Sequence, residues 1–418
     1  MFNSNYIIRV ISFLCTLFIS TAAFGQSWSS LGTGTNNDIY AMVVYNNSLV
    51  VSGTFTTAGG STANRVAVWN GTSWSTLGTG FNNKVYSLCV YNGNLIAGGT
   101  FTTAGGVSAN RIAVWNGSAW SQIGTGIDNG QVNALAVYSG NLVAGGTFTT
   151  VNSITMDRIA KWNGTSWSVL ANGLGSEVDA LTLFNGNLIV GGKFTTAGIP
   201  NTPRIVMWNG SAWSAMGVGI DDGQVYALQV YNSNLIVGGS FSKIGGTTRN
   251  SIAVWNGTAW SGLSTGVNSD VYALNIYSGD LYAGGNFSTA GGSSASMIAK
   301  WNGSAWSALG SGITGTGQAQ VNAISDYDGL MTAAGNFNTA GGLSANNVAR
   351  WGSAPAVPTL VSPANSSTNQ SLTLTLDWSD VTNATSYGVQ VSTNSTITTT
   401  VVKTSGLAVS QYTVPGGI

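Results

Sequence analysis

Between Trp28 and Trp351 the chain alternates short apolar runs with polar, glycine-rich punctuation. The pattern returns at steps of 46 or 47 residues, with a last step of 50. The stretch from Trp74 to Trp115 shows one period. Val85–Tyr91 is dense in β-branched and aromatic residues, which predicts a strand. Asn92-Gly93 then supplies two residues that tolerate positive φ, the requirement of a type I′ hairpin turn. Asn94–Phe101 is the return strand. A longer loop, Thr102–Asn110, carries Gly105-Gly106 and leads to a third strand, Arg111–Trp115. Asn116–Ala119 turns that strand into a fourth, Trp120–Ile123. We call these four strands a to d.

The motif Trp-Asn-Gly-x-x-Trp begins at Trp69, Trp115, Trp162, Trp208, Trp255 and Trp301, while Trp28 and Trp351 each carry half of it. A phenylalanine follows strand b in every unit: Phe55, Phe101, Phe148, Phe194, Phe241, Phe287 and Phe337. Four short strands cannot bury both faces of their own sheet, but stacked sheets can. Each phenylalanine is expected between neighbouring sheets, where burial stabilises by about 2–3 kcal/mol. The Gly-Gly pairs at the end of strand b, such as Gly98-Gly99, leave room for a neighbouring backbone or ring. The first unit begins with a lone d strand at Trp28, and the last stops after strand c at Trp351. These halves complement each other. The predicted fold is all-β, a seven-bladed β-propeller over residues 26–352 whose N-terminal strand closes the ring and removes exposed edges. An open solenoid, with both halves unpaired, is the alternative.

An aliphatic strand b ending in Gly-Gly, an aromatic about 16 residues later and a tryptophan shortly after resemble the kelch-type blade of the galactose-oxidase-like propellers. The resemblance covers residues 27–351 and implies a propeller. Its Trp-Asn-Gly-x-x-Trp spacing departs from the usual kelch tyrosine-then-tryptophan pattern, and kelch propellers serve many roles, so no function is implied. Residues 353–357, with Pro355, read as a linker. The stretch 358–418 resembles part of a fibronectin type III module, with Trp378 and Tyr387 at that family's core positions. Its last two strands are missing, which implies a partial β-sandwich from a larger protein.

Glycine accounts for 58 of 418 residues, yet aromatics reach 10%, which favours packed strands over disorder. Charged residues make up 6%, with 13 basic against 13 acidic, so no basic stripe invites nucleic acid. Residues 1–25 read as a cleaved signal peptide: Arg9, an apolar run from Val10 to Ile19, then Ala23-Phe24-Gly25 before Gln26. The run is short for a membrane span. Cys15 lacks the small residues of a lipoprotein box before it. Export would leave Cys89 as the single cysteine, unable to form an internal disulfide and expected as apolar filling of a strand.

Alternating strand direction puts the tight a–b and c–d turns on one face and the longer b–c and d–a loops on the other, the candidate binding face. Polar residues enter strand a in every unit: Asp38, Lys84, Gln131, Glu177, Gln224, Asp270 and Gln320. Beyond them lie Asp179 and the tyrosines Tyr40, Tyr86, Tyr226 and Tyr272. Together they are expected to ring the mouth of a central channel and to suit a glycan or peptide. Solvated loop residues are the plainer reading. Arg65, Arg111, Arg158 and Arg204 precede strand c; they could make half the face basic, but four separate surface residues are the favoured reading.

The chain has no histidine. Galactose-oxidase copper ligation, histidine triads and most zinc sites are therefore excluded. The glycine-rich stretches lead into strands, so no phosphate loop is expected. Glu177 with Asp179 and Asp221 with Asp222 are the nearest carboxylate pairs for a glycosidase. Asp128-Asn129-Gly130, Asp221-Asp222-Gly223 and Asp326-Tyr327-Asp328-Gly329 offer oxygen ligands for calcium, though Asx-Gly turns explain all three. The six Asn-Gly-Ser/Thr turns formally match glycosylation sequons. The expectation is a secreted or cell-surface, monomeric, non-catalytic protein without cofactor that binds a glycan or protein. A surface scaffold and a carboxylate-dependent carbohydrate-active enzyme are the alternatives.

Overall fold

Two-residue turns set the strand order. Asn92 and Gly93 take φ of 48° and 75°, and strands Val85–Tyr91 and Asn94–Gly99 fold back on each other in antiparallel register. The computed structural model describes residues 26–200, 202–352, 360–362, 375–378, 387–392, 400–407 and 411–413, all of them strand, turn or loop. The expected signal peptide (1–25) and linker (353–357) lie outside the described residues.

One compact unit runs from Ser27 to Trp351. Among its described residues are seven four-stranded sheets. In six of them the strands lie in the order a, b, c, d. In the seventh, Gln320–Tyr327, Leu330–Asn336 and Val348–Gly352 are joined by Ser27–Ser30, which lies beside Val348–Gly352. The a strands touch their neighbours in sequence, and Gln320–Tyr327 touches both Val271–Tyr277 and Ile39–Tyr45. This is the arrangement of a β-propeller.

The phenylalanines pack as their spacing predicts. All seven are at most 1% exposed. Phe101 shares a cluster with Val50 and Val66 of the preceding unit, and Phe55 shares one with Ala334 and Val348 of the last. The tryptophans of the repeat pair across strands c and d: Trp115 lies opposite Trp120, with ring centroids 5.5 Å apart. The Trp120 indole then donates to the Leu77 carbonyl of the unit before, at 3.0 Å. Asn116 Oδ1 accepts from the amides of Ser118 and Ala119, so the sequon asparagine holds its own turn.

Two local features depart from the expected pattern. The b–c loop folds into a small hairpin, as in Thr103–Ala104 against Val107–Ser108, with Gly105 and Gly106 at positive φ. The fourth unit shows no such hairpin among its described residues. There Ile199 stands in the second turn position, and a β-branched residue resists positive φ. Strand c also begins one residue later than expected, because Arg111 takes φ of 63°.

In the second unit, Leu360–Ser362, Thr375–Trp378 and Gln411–Thr413 form a three-stranded sheet, and Tyr387–Ser392 pairs with Thr400–Leu407.

Candidate functional site

The site begins with a glycine. The second residue of each Gly-Gly pair stands so close to strand a that a Cβ would meet the carbonyl before it: 2.1 Å from Lys84 O at Gly99 and 2.1 Å from Glu177 O at Gly192. Only glycine lets the two backbones approach this far. Opposite it, strand a carries a β-bulge. Val132 pairs with Gly146 and Ala134 with Gly145, leaving Asn133 as the extra residue, and the same shift recurs in every unit. A bulge re-aims its side chain. The seven extra residues are Tyr40, Tyr86, Asn133, Asp179, Tyr226, Tyr272 and Asn322, and all line one cavity of about 250 Å³ among the inner strands.

Five of these were named from sequence, and the structure brings them to one place. Asn133 and Asn322 were missed. Their offset from the last glycine of strand b is the signal that would have found them, since it equals that of Tyr40. The other seven candidates do not line this cavity, but several orient the bulged residues. Asn133 Nδ2 donates to Glu177 Oε1 at 3.1 Å and to Asp179 Oδ1 at 2.8 Å. Gln224 Nε2 donates to Asp179 Oδ2 at 2.6 Å. Tyr272 OH donates to Asp270 Oδ2 at 2.9 Å and Tyr40 OH to Asp38 Oδ2 at 3.5 Å. Gln320 Nε2 donates to Asn322 Oδ1 at 2.8 Å. Lys84 is exposed, and Gln131 lends its backbone amide to Thr147 Oγ1 at 3.1 Å.

The tyrosines form two couples, Tyr40 with Tyr86 and Tyr226 with Tyr272, each with ring centroids 5.1 Å apart. Burial, then the Asp38 charge, pushes the Tyr40 phenol up to about 12. Burial and the hydrogen bond to Asp270 raise Tyr272 as well. Asp179 shifts most usefully: burial, then the Glu177 carboxylate, pushes its carboxyl up to about 7, against the opposing bonds from Gln224 and Asn133. It therefore titrates near neutrality.

No family model and no curated protein matches the chain. Among solved structures, the WD40 β-propeller domain of Doa1 is similar to it at 15% identity and a TM-score of 0.48, covering 78% of this chain and 96% of that one. A computationally designed protein, Ika8, is similar at 18% identity and a TM-score of 0.47, covering 79% and 100%.

The remaining candidates have structural duties. Arg111 donates to the carbonyls of Ile127 and Gly130 at 2.9 Å each, and Arg204 repeats this with Ile220 and Gly223. Arg65 reaches Phe81 O. These three guanidinium groups hold the next d–a loop rather than form a basic surface. Asp221 accepts from the amides of Gly245 and Gly246, and Asp222 from those of Ser242 and Lys243. They brace the b–c hairpin instead of facing each other as a catalytic pair. Asp128 does the same for Asn152 and Ser153. Cys89 is half-buried in strand a, and burial pushes its thiol up to about 11.

Proposed function

We propose that the chain is an exported, non-catalytic binding protein that presents the channel mouth to a glycan or a protein. One observation carries this reading. Seven equivalent bulges aim seven side chains into one cavity, yet their chemistry runs Tyr, Tyr, Asn, Asp, Tyr, Tyr, Asn. Positions that serve the fold repeat unchanged: the phenylalanine, the last glycine of strand b and the strand c tryptophan. The bulged residues have the same geometry everywhere and differing chemistry, as a recognition site requires. Tyrosine faces and amide or carboxyl groups suit sugars and peptides.

The finer architecture belongs to the same proposal. A ring of seven blades closed by the N-terminal strand is supported by the placement of Ser27–Ser30, by the Trp28 indole donating to Leu309 O at 2.9 Å, and by Tyr327 OH donating to Trp69 O at 3.3 Å. A kelch-like blade is supported by the Gly-Gly and tryptophan spacing. A fibronectin-like tail is supported by its split into a three-stranded and a two-stranded sheet. Export rests on residues 1–25.

A glycan array, followed by capture assays with surface polymers, tests the reading. Binding should fall about tenfold or more in Tyr86→Ala and Tyr272→Ala. Absence of binding across glycans, polymers and proteins would leave the scaffold alternative. The raised carboxyl of Asp179 beside Glu177 favours a second reading, a carbohydrate-active enzyme. Against it, the Asn133 amide donates to both carboxyls and ties them into the wall. Unchanged turnover in Asp179→Asn would remove that pair from any hydrolytic role.

A further inference from the structure

The channel mouth is unequal around its circumference. On the side of the fourth to sixth units stand Glu177, Asp179 and Asp270 with the Tyr226–Tyr272 couple. Tyr226 lies within electrostatic reach of all three carboxyls. The Tyr40–Tyr86 side has Asp38 but also the cation Lys84. The hydrogen bonds within the acidic side limit what it can offer a guest. Both amide hydrogens of Asn133 go to the carboxyls of Glu177 and Asp179, and Gln224 spends a hydrogen on Asp179. The Tyr272 hydroxyl spends its hydrogen on Asp270. The donors of Asn133 and Tyr272 are consumed within the wall, and once Asp179 is ionised its lone pairs and those of Glu177 and Asp270 are left as acceptors. The Tyr226 and Tyr272 rings add π faces, and donation to Asp270 makes the Tyr272 ring more electron-rich.

Resting on the binding reading above, we propose that this side of the channel mouth takes an organic cation, an ammonium or guanidinium group, seated against Tyr226 and Tyr272 and facing Glu177, Asp179 and Asp270. An acceptor-rich, anionic, aromatic wall in a partly enclosed cavity discriminates for a guest that is all donor and positively charged. A neutral sugar, which needs donors as well as acceptors, is the poorer guest there. The cation could be free, as in an oligoamine, or the side chain of a lysine or arginine on a partner protein. Exposed Lys193 of the fourth unit and Lys84 across the mouth are the opposing charges. Asp179 adds a pH dependence. It faces Glu177 from its own strand entry, Asn133 from the third unit, and Gln224 and Tyr226 from the fifth. It is half-protonated near neutrality, so a cation must displace its proton below that pH.

Calorimetry on the full chain at constant ionic strength tests this, with N-acetylarginine amide, its neutral citrulline counterpart, spermidine and a neutral oligosaccharide. The arginine ligand or spermidine should bind at least about tenfold tighter than citrulline. Binding should tighten from pH 6 to pH 8, with proton release. It should weaken about tenfold in Asp179→Asn and in Tyr272→Ala, each checked for folding by its thermal transition. Preference for spermidine over the arginine ligand identifies a free amine, and the reverse identifies a partner's side chain. Equal binding of arginine and citrulline overturns the inference, as does oligosaccharide binding without any cation binding; the broader binding reading survives both results. Failure of every probe here and of the array above overturns both.

Discussion

Asp179 is the residue whose ionisation matters most to this fold and its site. Folded, its carboxyl titrates at about 7; unfolded, it returns to the ordinary range near 3.9. Between those values the folded chain holds a proton that the unfolded chain has lost. Its contribution is therefore full below about pH 4 and is lost as pH rises through 7. Asp179→Asn should raise the melting temperature by a few degrees at pH 8 and leave it nearly unchanged at pH 4.5, with Gln224 turning its amide to suit. A pH-independent difference would show that Asp179 is not shifted. The tryptophans offer a second comparison at this scale. Trp120 Nε1 donates to Leu77 O, whereas Trp213 Nε1 is buried without a partner. Removing a satisfied indole orphans a carbonyl, while removing an unsatisfied one relieves a cost. Trp120→Phe should therefore lose about 1 kcal/mol more than Trp213→Phe in urea unfolding.

At the scale of the element, the bulge and its glycine act as one device. Gly192 admits the Glu177 carbonyl at a distance no Cβ would allow, and that contact accompanies the bulge that turns Asp179 inward. Gly192→Ala should cost roughly 3 kcal/mol or more and should also abolish ligand binding. Gly186→Ala is the control. That glycine has open space around it but φ of 77°, so its loss should be about 1 kcal/mol with binding retained. Similar effects from the two substitutions would mean that the close approach does not support the bulge. The fourth unit shows the same logic in reverse: Ile199 stands in place of a glycine, and no b–c hairpin occurs there among the described residues.

At the scale of the whole molecule, the N-terminal strand is the test of closure. Trp28 packs against Trp351 with ring centroids 5.2 Å apart and bonds to Leu309 O. Trp74 packs against Trp69 at 5.3 Å and bonds to Leu31 O. If Ser27–Ser30 serves as the outer strand of a seventh blade, Trp28→Ala and Trp74→Ala should each cost roughly 3–5 kcal/mol, within one cooperative transition. Loss confined to a separate low-temperature step in Trp28→Ala would mean that this strand merely rests on the propeller.

Periodicity determined much of this by itself. Apolar runs, Asn-Gly turns and the Trp-Asn-Gly-x-x-Trp motif placed the strands to within a residue or two, because short antiparallel hairpins are set by local turn chemistry. The same spacing placed the phenylalanines between sheets, since only stacking can bury them. What local chemistry could not carry was the aim of side chains. An ideal strand alternates faces. The bulge breaks that alternation, and it exists because strand b, an Asn-Gly turn away, presents a glycine at the right height. Asn133 and Asn322 thus read as ordinary strand residues until the bulge turned them into the cavity. The arginines before strand c read as either a basic half of the face or separate surface residues, and for Arg65, Arg111 and Arg204 the carbonyls of the following loop supplied the partner. Tertiary structure decided those cases because each depends on a backbone atom that lies elsewhere in sequence.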